Sequence, residues 1–503
     1  MKKLSIVVCL FALAISSITA TGVKEVKPNE AMVPSVVRTN IGSEPDSLDP
    51  WKSAATDTEA IFHNVFEGLM LYDTNGKMIP GLAESVVIAP DGLTYTFKLR
   101  KNVLFHNGKP FDSADVVYTY NNLTGMSGEK AVSSKFSLIK NINAPDAYTF
   151  VITLVEPSAG FLSLTSIPIV PEGYTNQAEH PVGTGPYRFV EYTPGQRIVL
   201  ERNDAYYDAN RMPKIKRAEI YIMTDEAAIV SGLQSGQLDF ASITAEDAKQ
   251  LSSDYTIYNA PQNMVQIFAL NNEDPIFSDV RVRQAVNYAL NKQDVIDGVF
   301  GGYATKLDSN FSPVMGMYYN DTLSGYYEQN LAKAKQLLVE AGYPNGFKMT
   351  ITVPSNYQAH IDTAQIFAQQ LAAIGIKATI QPIEWATWLD QVYAKAQYQS
   401  TIIGLTGKLD PDSVLGRYTT TYPMNFFKFS NARYDALITK AKVETNDAAR
   451  ISMYKECQKI LTENAAAVYV CDPNLTVAAR KDLKGYVFYP VGFMDLSTLY
   501  FEE

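Results

Sequence analysis

The residues best suited to chemistry lie in one stretch, "IIGLTGKLDPDS", residues 402–413. An apolar run leads into Gly404, Thr406, Gly407 and Lys408, and then into Asp410-Pro411-Asp412. A lysine bracketed by glycines after an apolar strand suits a phosphate loop, a catalytic amine or the wall of a binding site. The phosphate loop fails on spacing: Ile402 stands where its first glycine belongs, and Leu409 follows the lysine in place of Ser or Thr. "GTGPYR" at 183–188 lacks the third glycine of a dinucleotide loop and reads as a turn entering a strand. A Gly-x-Ser-x-Gly elbow and a His-Glu-x-x-His pair are absent. His63, His106, His180 and His360 are scattered, and no Cys/His spacing fits a metal. Nothing positive supports catalysis, a metal or a cofactor.

The elements that must position this stretch belong to a large protein. At 503 residues the chain exceeds one hydrophobic core, so two or three domains are expected. The 46% hydrophobic and 19% charged residues make an ordinary globular balance. A net charge of −10 argues against nucleic acid as a partner, which needs a basic face. The N-terminus, "MKKLSIVVCLFALAISSITATG", has Lys2 and Lys3, an apolar stretch from Leu4 to Ile15, then small residues. That is a secretory signal with cleavage expected after Ala20, too short and wrongly flanked to span a membrane. Cys9 follows Val8 and lies too early for a lipid anchor. Without the two leader lysines, 41 basic residues face 53 acidic ones, a net charge of −12. A soluble exported protein follows, most simply periplasmic. It keeps two cysteines, Cys457 and Cys471, which suit either a disulfide or two separate buried thiols.

Residues 21–34 read as a flexible leader. "LTYTFKLR" alternates, with Leu93, Tyr95, Phe97 and Leu99 on one face, as in a half-buried strand. Asn107-Gly108 marks a tight turn. "SDVRVRQAVNYALN" carries a helical stripe capped by Ser278 or Asp279. "NLAKAKQLLVEAGYPNG" is a helix stopped at Gly342. "DTAQIFAQQLAAIGI" is a third helix, from Asp362 to Gly375, followed by the strand "IKATIQPI". Helix then strand, several times over, predicts α/β units, with a separate strand-rich unit near 85–155.

Several blocks resemble the extracytoplasmic solute-binding proteins of the peptide/nickel/opine class, which serve ABC importers. They are "GSEPDSLDPWKSAATDTEAIFHNVFEGLM" (42–70), "PGLAESVVIAPDGLTYTFKLRKNVLFHNGKPFDSADVVYTY" (80–120), "GTGPYRFVEYTPGQRIVLERNDAYY" (183–207), "DVRVRQAVNYALNKQDVI" (279–296), "AKQLLVEAGYPNGF" (334–347) and "FSNARYDALITKA" (429–441). They stand in the family's order over nearly the whole mature chain. The resemblance implies an α/β fold of two hinged lobes, the periplasmic-binding-protein fold, with a third domain inserted in the first lobe. Lobe I would comprise 35–60, 176–268 and 477–503, the insertion 61–175, and lobe II 269–476. A ligand would be held between the lobes, and closure around it would present the protein to a permease. A monomer without catalytic activity, metal or cofactor is the family expectation.

The resemblance also points to site residues. Peptide-binding members carry, in the loop matching 402–413, an aspartate for the peptide ammonium. Here Lys408 takes that place, with Asp410 two residues on and Leu405 replacing a tryptophan. Three readings stand open: Lys408 meets an anionic ligand group, pairs with Asp410 or Asp412, or faces solvent while Asp410 takes the ammonium. Dipeptide binders also carry an arginine for the carboxylate near the position of His360, which is the only cation there. Trp385 matches a pocket tryptophan, with a structural aromatic as the alternative. Ser53, Ala54, Ala55 and Thr56 match the lobe-I loop that meets the ligand backbone. Gly404 and Thr406 belong to the lobe-II loop. Asp472 falls near the hinge return, as the missing acid or as a loop cap. The leading ligand is an oligopeptide or peptide-like compound; an oligosaccharide, an opine-like acid or a metal chelate are alternatives. A chaperone-like protein and an exported hydrolase are the competing classes.

Overall fold

A computed structural model of the chain describes residues 34–53, 55–251, 253–406 and 409–502. The expected secretory leader and Cys9 lie outside the described residues, as do Ala54, Gly407 and Lys408.

The chain begins in a four-stranded sheet. Val36–Ile41 runs parallel to Arg217–Ile222, which pairs antiparallel with Arg197–Arg202 and that in turn with Tyr187–Thr193. Alternate residues such as Val37, Ile41, Ile198, Leu200, Ala218 and Ile220 share one core. Ile61, Phe62 and Val65 of the helix Thr56–Val65 pack into that core. The helix runs across the expected boundary at 60/61, because its apolar face belongs to the first unit.

A second sheet is wholly antiparallel, in the order Ala83–Ile88, Thr94–Leu99, Thr149–Leu154, Ile139–Asp146. Tyr95, Phe97 and Leu99 are buried, and their neighbours face outward. The helix Ser113–Thr124 covers the inner face with Val116, Tyr120 and Leu123. Asp112 caps it by accepting the amide of Ala114. Gly108 makes the tight turn at φ +83°, a conformation that disfavours any side chain.

The seam between these two units is dense. Glu67 is 2% exposed. Its Oε1 accepts from Tyr206 (2.8 Å), Tyr207 (3.0 Å) and Arg211 (3.4 Å), and its Oε2 accepts from Thr184 (3.1 Å). Gly183 and Gly185 are obligatory, since a Cβ there would lie 2.1 Å from the Val65 carbonyl and 2.5 Å from that of Asn64. His106 closes the seam: the Gly183 amide donates to Nδ1 (3.3 Å), leaving Nε2–H to donate to the Gly185 carbonyl (3.0 Å). "GTGPYR" is thus a close-packed turn entering the strand Tyr187–Thr193.

The third sheet follows the order Phe240–Ile243, Ala467–Arg480, Met264–Leu270, Ser400–Thr406, Lys348–Pro354, Lys377–Ile383. Met264–Leu270 is apolar on both faces. Val265, Ile267 and Ala269 serve one core, and Phe268 and Leu270 serve another, as a strand between two helical layers requires. Asp279 caps Val280–Ala289, settling the choice between it and Ser278. The helix Gln358–Ala372 starts four residues before the expected Asp362. Tyr357, at its cap, makes no side-chain cap bond and is not among the capping residue types, so the sequence carries no start signal there. Cys457 and Cys471 are free thiols, both buried.

Candidate functional site

One strand joins the two α/β units. In the fourteen residues of Ala467–Arg480, the first part pairs with Met264–Leu270 and the last part with Tyr255–Pro261 and Phe240–Ile243. The antiparallel companion crosses back between Pro261 and Met264, where Asn263 sits at φ 60°. Asp472 holds this crossing. It is fully buried, and its Oδ1 accepts from the amides of Gln262 (3.3 Å) and Met264 (3.1 Å), its Oδ2 from that of Asn263 (3.0 Å). Burial raises its pKa to about 6 against the opposing effect of the Ser312 hydroxyl and those three amides. Asp472 is therefore a backbone clamp at the crossover, with its acceptor capacity spent inside the protein.

The wall built from the third sheet brings several predicted residues together. His360, on the first turn of its helix, reaches the edge of Ser400–Thr406. The Gly404 amide donates to its Nε2 (3.1 Å), and its Nδ1 lies 3.1 Å from the Gln266 carboxamide. Desolvation lowers its pKa to about 4, so His360 is neutral at pH 7 and provides no cation. A Cβ at Gly404 would lie 2.8 Å from the Met264 sulfur, so that side chain would have to move aside for any larger residue. An aromatic row runs on from His360 through Tyr357 to Trp385 at 5.4 Å steps, and Trp385 stacks on buried Trp388 at 5.3 Å. Thr406 is exposed at the strand end, and its carbonyl accepts from Arg417 (3.3 Å).

In the first unit, Ser53 and Ala55 are half-buried and Thr56 is exposed. The amide of Ala55 donates to Asp46 (3.0 Å), which also takes the hydroxyl of Thr58 (2.9 Å). Thr56 lies against Gly492, and Gly76 lies against both Pro490 and Leu409. Gly76 thus connects the second-sheet unit to the C-terminal segment and to the loop before the helix Pro411–Leu415.

Asp410 stands apart from the His360 group. It caps the short helix Pro411–Leu415, accepting from the Asp412 amide at 3.3 Å. Its carboxylate faces Gly160 of the second unit, where a Cβ would come within 3.2 Å of Cγ. Burial raises its pKa, and among the described residues no ion pair joins it. Asp410 lines a cavity of about 230 Å³ between the second and third units, with Tyr72, Lys77, Ser163, Tyr318 and Arg450. Two hydrogen bonds bridge the rim: Ala159 N–H to the Lys442 carbonyl (3.0 Å), and Arg450 to the Ala159 carbonyl (3.4 Å). Asp412, pushed up to about 6 chiefly by desolvation, lies 3.5 Å from Lys442.

Sequence reasoning missed Tyr72, Ser163, Arg450 and Arg417. Arg450 occupies a polar stretch of the helix Asp447–Glu463 and carries no pattern that separates it from a solvated residue. "PSAGF" around Gly160 was the one available sign of close approach. Among the described residues no cluster of His, Cys, Asp and Glu suits a metal ion, and no helix is long and apolar enough to cross a membrane.

Comparison with known proteins agrees with this architecture. Residues 77–426 match the model of the bacterial extracellular solute-binding proteins, family 5 middle. The chain is 30% identical over 475 residues to the glutathione-binding protein GsiB of Salmonella paratyphi A, covering 90% of this chain and 91% of that one. Among solved structures, the substrate-binding protein CtaP of Listeria monocytogenes superposes with a TM-score of 0.85 at 27% identity, covering 94% of this chain and all of that one. The periplasmic binding protein DppA of Helicobacter pylori, in complex with the peptide STSA, gives 0.75 at 26% identity over 94% and 99% of the two chains. The fold is the mixed α/β, multi-domain fold of these binding proteins.

Proposed function

The chain belongs to family 5 of the bacterial extracellular solute-binding proteins of ABC importers, and from that premise we propose that it captures a peptide or peptide-like solute in the periplasm and delivers it by hinge closure. The observation that supports the reading is the strand Ala467–Arg480, which the two α/β units share and about which they could close. The secretory leader fits export, and a monomer that binds without catalysis fits the family.

In this reading lobe I comprises about 35–66, 171–261 and 474–502, and lobe II about 264–472. The insertion, about 67–170, rides with lobe I through the Glu67 seam. Ser53, Ala54, Ala55 and Thr56 meet the ligand from lobe I. Gly404, Thr406, Lys408, Trp385 and Asp410 meet it from lobe II, while His360 and Asp472 act as positioning residues. Asp410 is the ammonium acceptor: a carboxylate raised by desolvation and without an ion pair among the described residues gains most from a ligand cation. The peptide class is supported by the relatives, whose names and titles record glutathione and a peptide. Transport requires only that the closed form bind the solute more tightly than the open one.

Native mass spectrometry of the exported protein, with released ligands fragmented, tests the reading. Peptides at one per chain, lost in Asp410→Asn, are expected. A sugar or a metal chelate as the sole ligand overturns the peptide class, and turnover of the bound molecule overturns the binding role.

A further inference from the structure

The strand Ser400–Thr406 leads into the lobe-II loop with its two edges held differently. Pairing with Met264–Leu270 runs its whole length, while pairing with Lys348–Pro354 stops after Ser400 and Thr401. Beyond Thr401 two side chains take over that outer edge. The Gly404 amide donates to His360 Nε2 (3.1 Å), and the Thr406 carbonyl accepts from Arg417 (3.3 Å). Backbone groups two residues apart turn to the same edge, so both side chains stand where a further strand would lie.

His360 is held from its other nitrogen as well. Nδ1 lies 3.1 Å from one end of the Gln266 carboxamide, and Gln266 is the residue directly across from Gly404 in the pairing. Gln266 is fully buried, and the other end of its carboxamide lies 3.5 Å from the Cys471 sulfur. The roles follow from counting protons. A neutral imidazole has one N–H and one bare nitrogen. The Gly404 amide can only donate, so Nε2 is bare and Nδ1 carries the proton. The carboxamide end facing Nδ1 is then the oxygen, because a ring that accepts at both nitrogens would be an anion. The NH2 end faces the Cys471 sulfur, a weak acceptor. The Thr363 hydroxyl, 3.1 Å from the oxygen end, is free to turn to it or to the Ala359 carbonyl at 2.7 Å.

Gln266 also sits at the hinge. Its opposite number in the shared strand is Cys471, and the register between the two strands shifts between Gln266 and Ile267. Asp472, the next residue, clamps the crossover through the amide of Met264. One line of side chains therefore runs from the crossover through Gln266 and His360 to Gly404.

We propose that Gln266 is a positioning residue for ligand capture: by accepting the Nδ1 proton of His360 it keeps Nε2 bare toward the Gly404 amide, and so ties the lobe-II loop to the hinge. This rests on the cleft reading above and adds to it a residue that touches no ligand. Without the acceptor, the ring is free to carry its proton on Nε2. That sets donor against donor at Gly404 and releases the outer edge of the strand.

The test uses the exported full chain as wild type, Gln266→Leu and Gln266→Glu, the last of which keeps an oxygen toward the ring. The chain has four histidines, so isotopic labelling of their ring nitrogens gives four patterns by nuclear magnetic resonance, and His360→Gln identifies the one from His360. Amide hydrogen exchange follows residues 402–413, and native mass spectrometry reads uptake of equimolar tripeptides. Wild type and Gln266→Glu are expected to show the Nδ1–H ring and a protected loop. Gln266→Leu is expected to show the Nε2–H form and exchange in 402–413 about tenfold faster, the effect of one lost hydrogen bond, with the strand Lys348–Pro354 unchanged. Its tripeptide uptake should weaken by about the same factor. The proposal is overturned by an Nε2–H ring in wild type, by a Gln266→Leu ring and loop like those of wild type, or by Gln266→Glu behaving as Gln266→Leu. Exchange raised evenly through lobe II, or equal tripeptide uptake by wild type and Gln266→Leu, also overturns it. If wild type takes no tripeptide, the peptide reading fails, while the ring form and the loop exchange still decide this one.

Discussion

The insertion touches its two neighbours in contrasting ways. Against lobe I it presents buried Glu67 with four donors and a histidine bonded through both ring nitrogens. Against lobe II it presents two hydrogen bonds at the rim of a cavity of about 230 Å³. The first contact cannot separate without exposing a carboxylate, a guanidinium and three hydroxyls whose bonding is complete only when closed. The second can part and be rewetted at small cost. A multi-domain protein can thus decide which of its surfaces move by placing buried charge in one seam and a handful of peripheral bonds in the other.

Breaking the fixed seam is expected to have the largest effect. Glu67→Ala leaves Arg211 and three hydroxyls unpartnered and should cost about 3–5 kcal/mol, the range for removing one member of a buried charge network. Differential scanning calorimetry should show it as a lowered or separated transition for the insertion and lobe I. A change under 1 kcal/mol would mean the seam is held by packing alone.

Asp472→Ala follows, at about 2–4 kcal/mol, because three buried amides lose their acceptor. The pH response has a definite sign. Asp472 titrates near 6 in the folded protein and near 3.8 unfolded, so its contribution is full below pH 4 and falls as pH rises through 6. The variant should therefore be more costly at pH 4 than at pH 7 in urea unfolding. A cost that grows with pH would show that the ionised carboxylate is the better clamp.

His360→Gln behaves in the opposite sense. The folded histidine titrates near 4 and the unfolded one near 6.5, so its contribution is present above pH 6.5 and lost as pH falls toward 4. About 1–2 kcal/mol at pH 7, vanishing at pH 4, is expected from loss of its bond to the Gly404 amide. A pH-independent cost would mean the ring contributes only by packing.

The smallest stability effect belongs to the mobile contact. Arg450→Ala removes the bonds to the Ala159 carbonyl, the Tyr318 hydroxyl and the exposed Asp447 carboxylate and should cost about 1 kcal/mol. It should nonetheless shift small-angle scattering toward a larger radius of gyration. A large loss of stability with unchanged scattering would erase the contrast between the seams.

The sequence conveyed these regions unequally. The strand Thr94–Leu99 was legible because one face is wet, so burial imposes a period of two. Val280–Ala289 was legible for the same reason at period 3.6, with a carboxylate at its cap. Gln358–Ala372 was misplaced at its start because Tyr357 offers no cap. The site was harder. Gly404 and His360 stood out by position, but their bond to each other needs the fold, as does the neutrality of His360. Asp472 read as an acid near a hinge, whereas its three amide donors come from residues 208–210 positions away in the chain.

The long strand shared by the lobes also sets a timetable for folding. The core of lobe I requires Val477, Ala479, Leu496 and Phe501 from the end of the chain. Asn64, in the first helix, bonds to the backbone of Met494 and Leu496, more than four hundred residues later. The first domain to be made is thus the last able to finish folding, since its final strand and closing segment arrive with the C-terminus. The N-terminal strand can pair once Arg217–Ile222 has been made, but the core beneath it stays open until the C-terminal segment arrives. Truncating the final thirty residues should leave that open core exposed to proteases and to aggregation.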